Sequence, residues 1–166
     1  DVLNLLIIIL LGIVLLVEIF TPVIVYLIAP GFYEDFEKYN FAVELTRITF
    51  PFLFFVSLSS FFSGILNTNN KFAAAAAAPI ILNIFLILSL LISYFFDLNF
   101  GLNLSYAVTL AGLFQLLFLI FYTKKYYKPS IHFKMKVNSK VKFFLKKLLP
   151  SIFSSGVTQI NILIGT

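Results

Sequence analysis

The stretch GILNTNNKFAAAAAAPIILN, residues 64–83, places a short polar run between two apolar segments. Asparagine and threonine side chains bond to nearby backbone groups, and asparagine tolerates left-handed backbone conformations. We therefore predict a tight helix-to-helix turn over Asn67–Asn70, with Lys71 at the membrane surface. The alanines that follow, Ala73–Ala78, predict a helix without bulky side chains, which other backbones or a ligand can approach closely.

Composition places this chain in a lipid bilayer. Of its 166 residues, 61% are hydrophobic and only 11% are charged, and the mean hydropathy is +1.04. A water-soluble domain of this composition would expose large apolar patches. The length allows about five membrane-spanning helices of roughly 20 residues each. Because the sequence starts at Asp1 without methionine and stops at Thr166 inside an apolar run, we expect it to be a piece of a longer protein.

The hydropathy pattern predicts an all-α fold, an up-down bundle of transmembrane helices that forms a single domain over residues 1–166. The expected spans are residues 2–20, 47–66, 72–96, 102–123 and 148–166. The first span should end near Thr21-Pro22, because proline disfavours helix at the residue before it. A periplasmic loop is expected over 30–46, and a basic cytoplasmic loop with an amphipathic helix over 124–147.

The distribution of lysine and arginine orients the bundle. Nine lysines and no acid occur in residues 124–147, whereas the loop over 30–46 and the turn at Asp97 are acidic. Cytoplasmic loops of membrane proteins carry the excess of lysine and arginine. The asparagine turn and the lysine loop are therefore predicted to face the cytoplasm.

The lysine loop contains a helical stripe of apolar residues flanked by four lysines. These lysines are Lys140, Lys142, Lys146 and Lys147. Such a helix lies in the membrane interface and is attracted to anionic lipids. It either anchors the chain or gathers an anionic lipid substrate near an entrance. Nucleic-acid binding is a poorer interpretation, since membrane spans confine these lysines.

Small and polar residues inside the spans are candidates for lining a cavity. Ser59 and Ser63 are four residues apart, as are Ser155 and Gln159, so each pair lies on one helical face. Such faces either pack tightly or line a polar path. Glu18 is the only carboxylate inside an apolar run. It lies at the interface if its helix ends before Thr21; otherwise it indicates a cavity or proton-coupling role.

No enzyme signature occurs in the sequence. The chain contains no cysteine, and its one histidine, His132, has no acidic neighbour in the basic loop, which argues against a metal site. No glycine-rich phosphate loop indicates an ATPase. We therefore predict no enzymatic site and no cofactor for this chain.

The asparagine turn and its flanks resemble the MurJ (MviN-type) lipid II flippase family. That family's pattern is leucine-asparagine-threonine, any residue, asparagine, a basic residue and phenylalanine, then a proline and an asparagine. It is met by Leu66, Asn67, Thr68, Asn70, Lys71, Phe72, Pro79 and Asn83. The segments APGF at 29–32 and RITFPFLFFVSLSS at 47–60 extend the resemblance, which covers the whole chain as roughly the third to seventh helices. Family members often have tryptophan where Asn69 stands.

The resemblance implies a two-lobed bacterial inner-membrane transporter of about fourteen helices that works by alternating access, within the multidrug, oligosaccharidyl-lipid and polysaccharide exporter superfamily. Its cargo would be lipid II, the undecaprenyl-linked peptidoglycan precursor, moved to the periplasmic leaflet for cell-wall synthesis. Association with the cell-wall synthesis machinery would fit that role. The charged cavity residues of the family lie on its first, second and eighth helices, outside this chain.

Three other functions stay open from the residues. One is a different polysaccharide-lipid or multidrug exporter of the same superfamily, since the cargo-reading helices are absent from this sequence. Another is a membrane-bound isoprenoid-lipid enzyme, which would need clustered acidic or histidine residues at the membrane edge. The third is a passive scaffold without a transport path.

Overall fold

A computed structural model describes residues 2–127 together with residues 142–143, 146–147, 150–151, 153 and 155–158. Its elements are α1 (Val2–Ile28), a 3-10 helix (Pro30–Glu34), α2 (Phe36–Thr49), α3 (Pro51–Thr68), α4 (Phe72–Phe96) and α5 (Phe100–Thr123). No strand occurs in the described ranges, which confirms the all-α class. Within them, four helices are long and apolar enough to cross a membrane, counting α2 and α3 as one.

The residues of Ile7–Pro129 form one compact unit, and the rest of the chain belongs to a second. The predicted fifth span, 148–166, lies mostly outside the described residues. Those of its residues that are described, from Pro150 to Thr158, are helical.

Helix α1 continues through Pro22 to Ile28, so the predicted end at residue 20 is wrong. Proline has no N–H and cannot bond to the carbonyl four residues earlier, which is that of Glu18. The hydroxyl of Thr21 donates to this carbonyl across 3.2 Å and to the Val17 carbonyl across 2.6 Å. The single hydroxyl proton is thus shared, with the shorter bond to Val17 and the longer one to the carbonyl that Pro22 leaves without a backbone donor.

The predicted loop over 30–46 is largely helical, because α2 begins at Phe36. The Asp35 side chain caps this helix by accepting a hydrogen bond of 3.0 Å from the Lys38 N–H. A capping aspartate satisfies one of the amides that a helix start leaves unpaired. The hydroxyl of Tyr39 then donates to the Pro22 carbonyl across 2.7 Å, which attaches α2 to α1.

Helices α2 and α3 join at Phe50, whose backbone angles are helical (φ −61°, ψ −35°). The break comes from Pro51, which lacks a donor for the preceding turn. The hydroxyl of Thr109, on α5, donates to the Ile48 carbonyl at this break. The two helices form one broken helix, and its break is bonded to a neighbour.

Helix α5 is the centre of the described bundle and packs against α2, α3 and α4. Its buried apolar residues are Ala107, Ala111, Leu116 and Leu119. Gly112 allows α3 to approach closely, because a Cβ atom there would lie 2.6 Å from Cδ2 of Phe52. By contrast, α1 makes no extensive contact with α2 to α5.

The turn between α4 and α5 is short and hydrogen-bonded. Asp97 has a φ of 50°, in the left-handed region, and the Leu98 N–H donates to the Ser93 carbonyl across 3.1 Å. The Asn99 side chain caps α5 by accepting from the Leu102 N–H across 3.1 Å. Asn103 Nδ2 donates to the hydroxyl of Ser93 across 2.9 Å, which joins the two helices at this end.

Candidate functional site

The asparagine turn between α3 and α4 is closed by three backbone hydrogen bonds, two of which form a known helix-end motif. The Lys71 N–H donates to the Leu66 carbonyl across 2.9 Å, and the Asn70 N–H donates to the Asn67 carbonyl across 3.1 Å. This pair of bonds is the Schellman arrangement at a helix end, which needs a left-handed residue. Asn70 is that residue, with a φ of 57°. The geometry explains an asparagine directly before Lys71.

Two side chains complete the end of α3. The hydroxyl of Thr68 and the Nδ2 group of Asn69 both donate to the Ile65 carbonyl across 2.8 Å. A helix end leaves its last carbonyls without partners from its own backbone, and such side chains supply them. Thr68 and Asn69 therefore have a structural role in the turn.

A cavity of about 420 Å³ opens beside the turn, between the end of α3, the start of α4 and the end of α5. It is lined by Leu66, Asn70, Lys71, Phe72, Ala73, Ala74, Tyr122, Lys125 and Tyr126. We call it the lysine pocket. Its lining contains two lysines, no acidic residue and mostly apolar surface. The pocket therefore suits a ligand that is partly apolar and partly anionic.

The chain after α5 is held firmly at one wall of the lysine pocket. The N–H groups of Tyr126 and Tyr127 donate to the Thr123 carbonyl across 2.8 and 2.9 Å. The Tyr127 ring contacts the Phe61 ring of α3 edge to face, with centroids 6.2 Å apart. These contacts fix the backbone that carries Lys125.

The alanine run forms part of the opposite wall. Ala73 and Ala74 line the pocket, while Ala78 is 1% exposed. The run thus has two residues beside the pocket at its start and a buried residue at its end.

The eight residues of the sequence pattern do not share one site in the described structure. Four of them line the lysine pocket, namely Leu66, Asn70, Lys71 and Phe72. Asn67 and Thr68 bond within the turn. Pro79 and Asn83 lie further along α4, and Asn83 is exposed. The pattern thus describes a turn and a pocket, plus two positions on a separate part of α4.

The other predicted cavity residues are not brought to this pocket. Ser59 is 1% exposed, and its hydroxyl has no hydrogen-bond partner, while Ser63 is half-buried. Burial at Ser59 favours helix packing there.

Glu18 is half-buried on α1, and its Oε1 atom has no hydrogen-bond partner. The helix continues from Glu18 to Ile28, a rise of about 15 Å. The condition for an interfacial Glu18, a helix end before Thr21, is therefore not met.

The predictions for the last part of the chain are only partly covered. Gln159, Lys140 and His132 lie outside the described residues. Ser155, Lys142, Lys146 and Lys147 are exposed and helical, and the Lys147 amine lies 5.3 Å from the centroid of the Phe143 ring. Their roles in cavity lining and lipid anchoring stay predictions. No group of three or more metal-ligating side chains occurs in the described part of the chain.

Sequence reasoning missed the α5 side of the lysine pocket. Lys125 was grouped with the lysine loop, and Tyr122 and Tyr126 were not singled out. The signal was the run YTKKYY, residues 122–127, at the end of an apolar span. Tyrosines and lysines in that position are typical of a membrane interface.

Comparison with known proteins gives consistent matches over the whole chain. The family model described as "Lipid II flippase MurJ" matches residues 1–166. A protein of Rickettsia prowazekii (strain Madrid E) named "Probable lipid II flippase MurJ" is 39% identical over 162 residues, which cover 92% of this chain and 30% of that protein.

Other relatives agree. A protein of Rhizobium tropici with the same name is 36% identical over 95% of this chain and 30% of its own length. The "Lipid II flippase MurJ" of Burkholderia cenocepacia is 31% identical over 86% of this chain and 28% of its own length. The chain thus spans about 30% of the length of the curated relatives it matches.

Proposed function

The chain belongs to the MurJ family of lipid II flippases, and from this premise we propose that the complete protein moves lipid II across the bacterial inner membrane. The cargo is the undecaprenyl-linked peptidoglycan precursor, carried from the cytoplasmic to the periplasmic leaflet for cell-wall synthesis. The observation that carries the proposal is the match of the family model over residues 1–166. The protein is a multi-pass transporter, not an enzyme, and alternating access between two lobes moves the cargo.

The described helices support a role in a transporter wall. Four of them are long and apolar enough to cross a membrane, and α3 to α5 form a packed block around α5. A packed block of this kind moves as a rigid body when a transporter alternates between two states. The part described here supplies scaffold and one face of the substrate path, with the half-buried Ser63 and Glu18 as candidate contacts, whereas Ser59 is buried and serves helix packing.

The orientation follows from the charges. Lys71 and Lys125 lie at one end of the bundle, and Asp97 lies in the turn at the other end of α4. By the positive-inside rule, the lysine end faces the cytoplasm and the Asp97 end faces the periplasm. The exposed lysines Lys142, Lys146 and Lys147 hold the following segment on the anionic cytoplasmic leaflet.

A depletion strain tests the cargo. The full-length gene is expressed in a bacterium whose own lipid II flippase can be switched off, with an exporter of another cargo from the same superfamily as the control. Growth and the amount of lipid II reached by a membrane-impermeant probe are measured. We expect the full-length gene to restore both, and the control exporter to restore neither. If the protein accumulates folded in the membrane while lipid II stays inside, the cargo is a different lipid-linked polysaccharide or a drug, and the proposal fails.

A further inference from the structure

The lysine pocket has the chemistry of a site for a charged lipid. Lys71 and Lys125 come from different parts of the chain, one before α4 and one after α5, and no carboxylate lines the cavity. The rest of the lining is mostly apolar, with Leu66 buried and Phe72 59% exposed. A purely ionic ligand would leave this apolar surface in contact with water.

The pocket also lies at the ends of two helices that are long enough to cross a membrane, where lipid headgroups would be expected. Lys71 stands at the start of α4, and Lys125 directly follows α5, two helices that are long enough to cross a membrane. Tyr122 and Tyr126 are 48% and 38% exposed beside them. Tyrosine rings and lysine side chains in this position place apolar carbon towards the hydrocarbon and polar tips towards the headgroups.

We propose that the lysine pocket binds one anionic phospholipid of the cytoplasmic leaflet. The two lysine amines hold the phosphate, and part of an acyl chain lies on Phe72, Ala73 and Tyr122. Charge complementarity selects an anionic headgroup over a zwitterionic one. The described lysines further along the loop, Lys142, Lys146 and Lys147, do not line this pocket, and the proposal does not depend on which cargo the protein carries.

The chain offers a matched control one residue away. Lys124 is exposed, like Lys125, but does not line the pocket. Replacing it removes the same charge from the same end of α5. A difference between Lys124 and the pocket lysines therefore reports the cavity and not the general positive charge of the surface.

The experiment uses the full-length protein in nanodiscs that contain a photoactivatable phosphatidylglycerol with its reactive group on the acyl chain. Cross-linked peptides are quantified by mass spectrometry for the wild type, K71Q/K125Q, K71R/K125R and K124Q. We expect cross-links to residues 66–74 and 122–126 that fall on the order of tenfold in K71Q/K125Q, because each lysine near an anionic leaflet contributes favourably to binding. The cross-links should persist in K124Q and be restored in K71R/K125R.

Four competition or probe experiments distinguish an anionic phospholipid from other ligands of the pocket. Unlabelled phosphatidylglycerol should displace the probe, whereas inorganic phosphate should not, and a phosphatidylcholine probe should give few cross-links. Competition by inorganic phosphate would make this a free-anion site, and equal labelling by phosphatidylcholine would make it an apolar groove. Displacement by an equimolar polyprenyl-pyrophosphate lipid would place it on the cargo route. Any of these last three results, or undiminished labelling of K71Q/K125Q, would overturn the proposal.

Discussion

The turns at the two ends of α4 share one backbone feature, a residue in the left-handed conformation, but their surroundings differ. At one end Asn70 takes a left-handed conformation, and the Lys71 N–H bonds back to Leu66. At the other end Asp97 is left-handed, and the Leu98 N–H bonds back to Ser93. The turns differ in what surrounds them: the asparagine turn opens onto a pocket with two lysines, while the aspartate turn is closed by a bond between α4 and α5. The two turns thus have the same backbone geometry, and the neighbouring side chains determine what each end of α4 can bind.

The largest expected difference is in location: the two ends of α4 should lie on opposite sides of the membrane. Single cysteines in place of Asn69 and Asn99, in a full-length protein otherwise free of cysteine, should react with an impermeant thiol reagent from opposite sides. In intact cells, Asn99→Cys should label fully and Asn69→Cys hardly at all, because the lysine-rich end faces the cytoplasm. Labelling of both in unbroken cells, or of Asn69→Cys alone, would contradict the orientation.

The block that connects the two ends depends on Gly112. Gly112→Leu should destabilise the protein by about 1–3 kcal/mol, because a side chain there overlaps Phe52 and separates α5 from α3. Thermal unfolding in detergent measures the loss. Gly64→Leu is the matched control, since nothing in the described part lies within 4 Å of a Cβ at Gly64. If both variants melt alike, close packing at Gly112 is not what holds the block.

The shared left-handed residue predicts equal sensitivity at both turns. Asn70→Val and Asp97→Val should each cost about 1–2 kcal/mol relative to the glycine variants at the same positions, because a branched side chain clashes in this conformation. The valine-to-glycine difference in unfolding free energy is measured separately for each turn. A cost at Asp97 without one at Asn70 would show that the asparagine turn adopts another conformation.

The smallest effect is expected from the bond that closes the aspartate turn. Removing the Asn103–Ser93 hydrogen bond should cost about 0.6 kcal/mol, the usual value for polar bonds between membrane helices. A double-mutant cycle with Ser93→Ala and Asn103→Ala isolates this coupling. Thr68→Ala is the comparison at the other end, where the hydroxyl bonds only within its own helix. A coupling free energy near zero would mean that the bond between Asn103 and Ser93 does not close the aspartate turn.

Sequence patterns predicted local features well where the physics is local. The turn over Asn67–Asn70 followed from the preference of asparagine for left-handed backbone, and Asn70 has that conformation. The end of α1 was predicted wrongly because Pro22 was taken to stop the helix, whereas the helix tolerates the loss of one backbone hydrogen bond and continues to Ile28. The start of α2 was missed because the loop was judged by its charge, although Asp35 is a helix cap.

Only the Lys71 side of the lysine pocket could be predicted from the sequence. Lys71 was visible as part of the asparagine turn, whereas Lys125 is 54 positions later in the sequence. Their meeting depends on α4 and α5 packing side by side and on Tyr127 contacting Phe61. No pattern within either segment contains this information, because it arises from tertiary contacts between them.

The bond from the Thr109 hydroxyl to the Ile48 carbonyl has a mechanical consequence. A proline break usually gives a helix freedom to swing, because one backbone bond is missing there. Here the Thr109 hydroxyl of α5 bonds to the last turn of α2, next to the proline break, so α5 restrains the movement of α2 relative to α3. A movement of α2 away from α5 would first have to break this hydrogen bond.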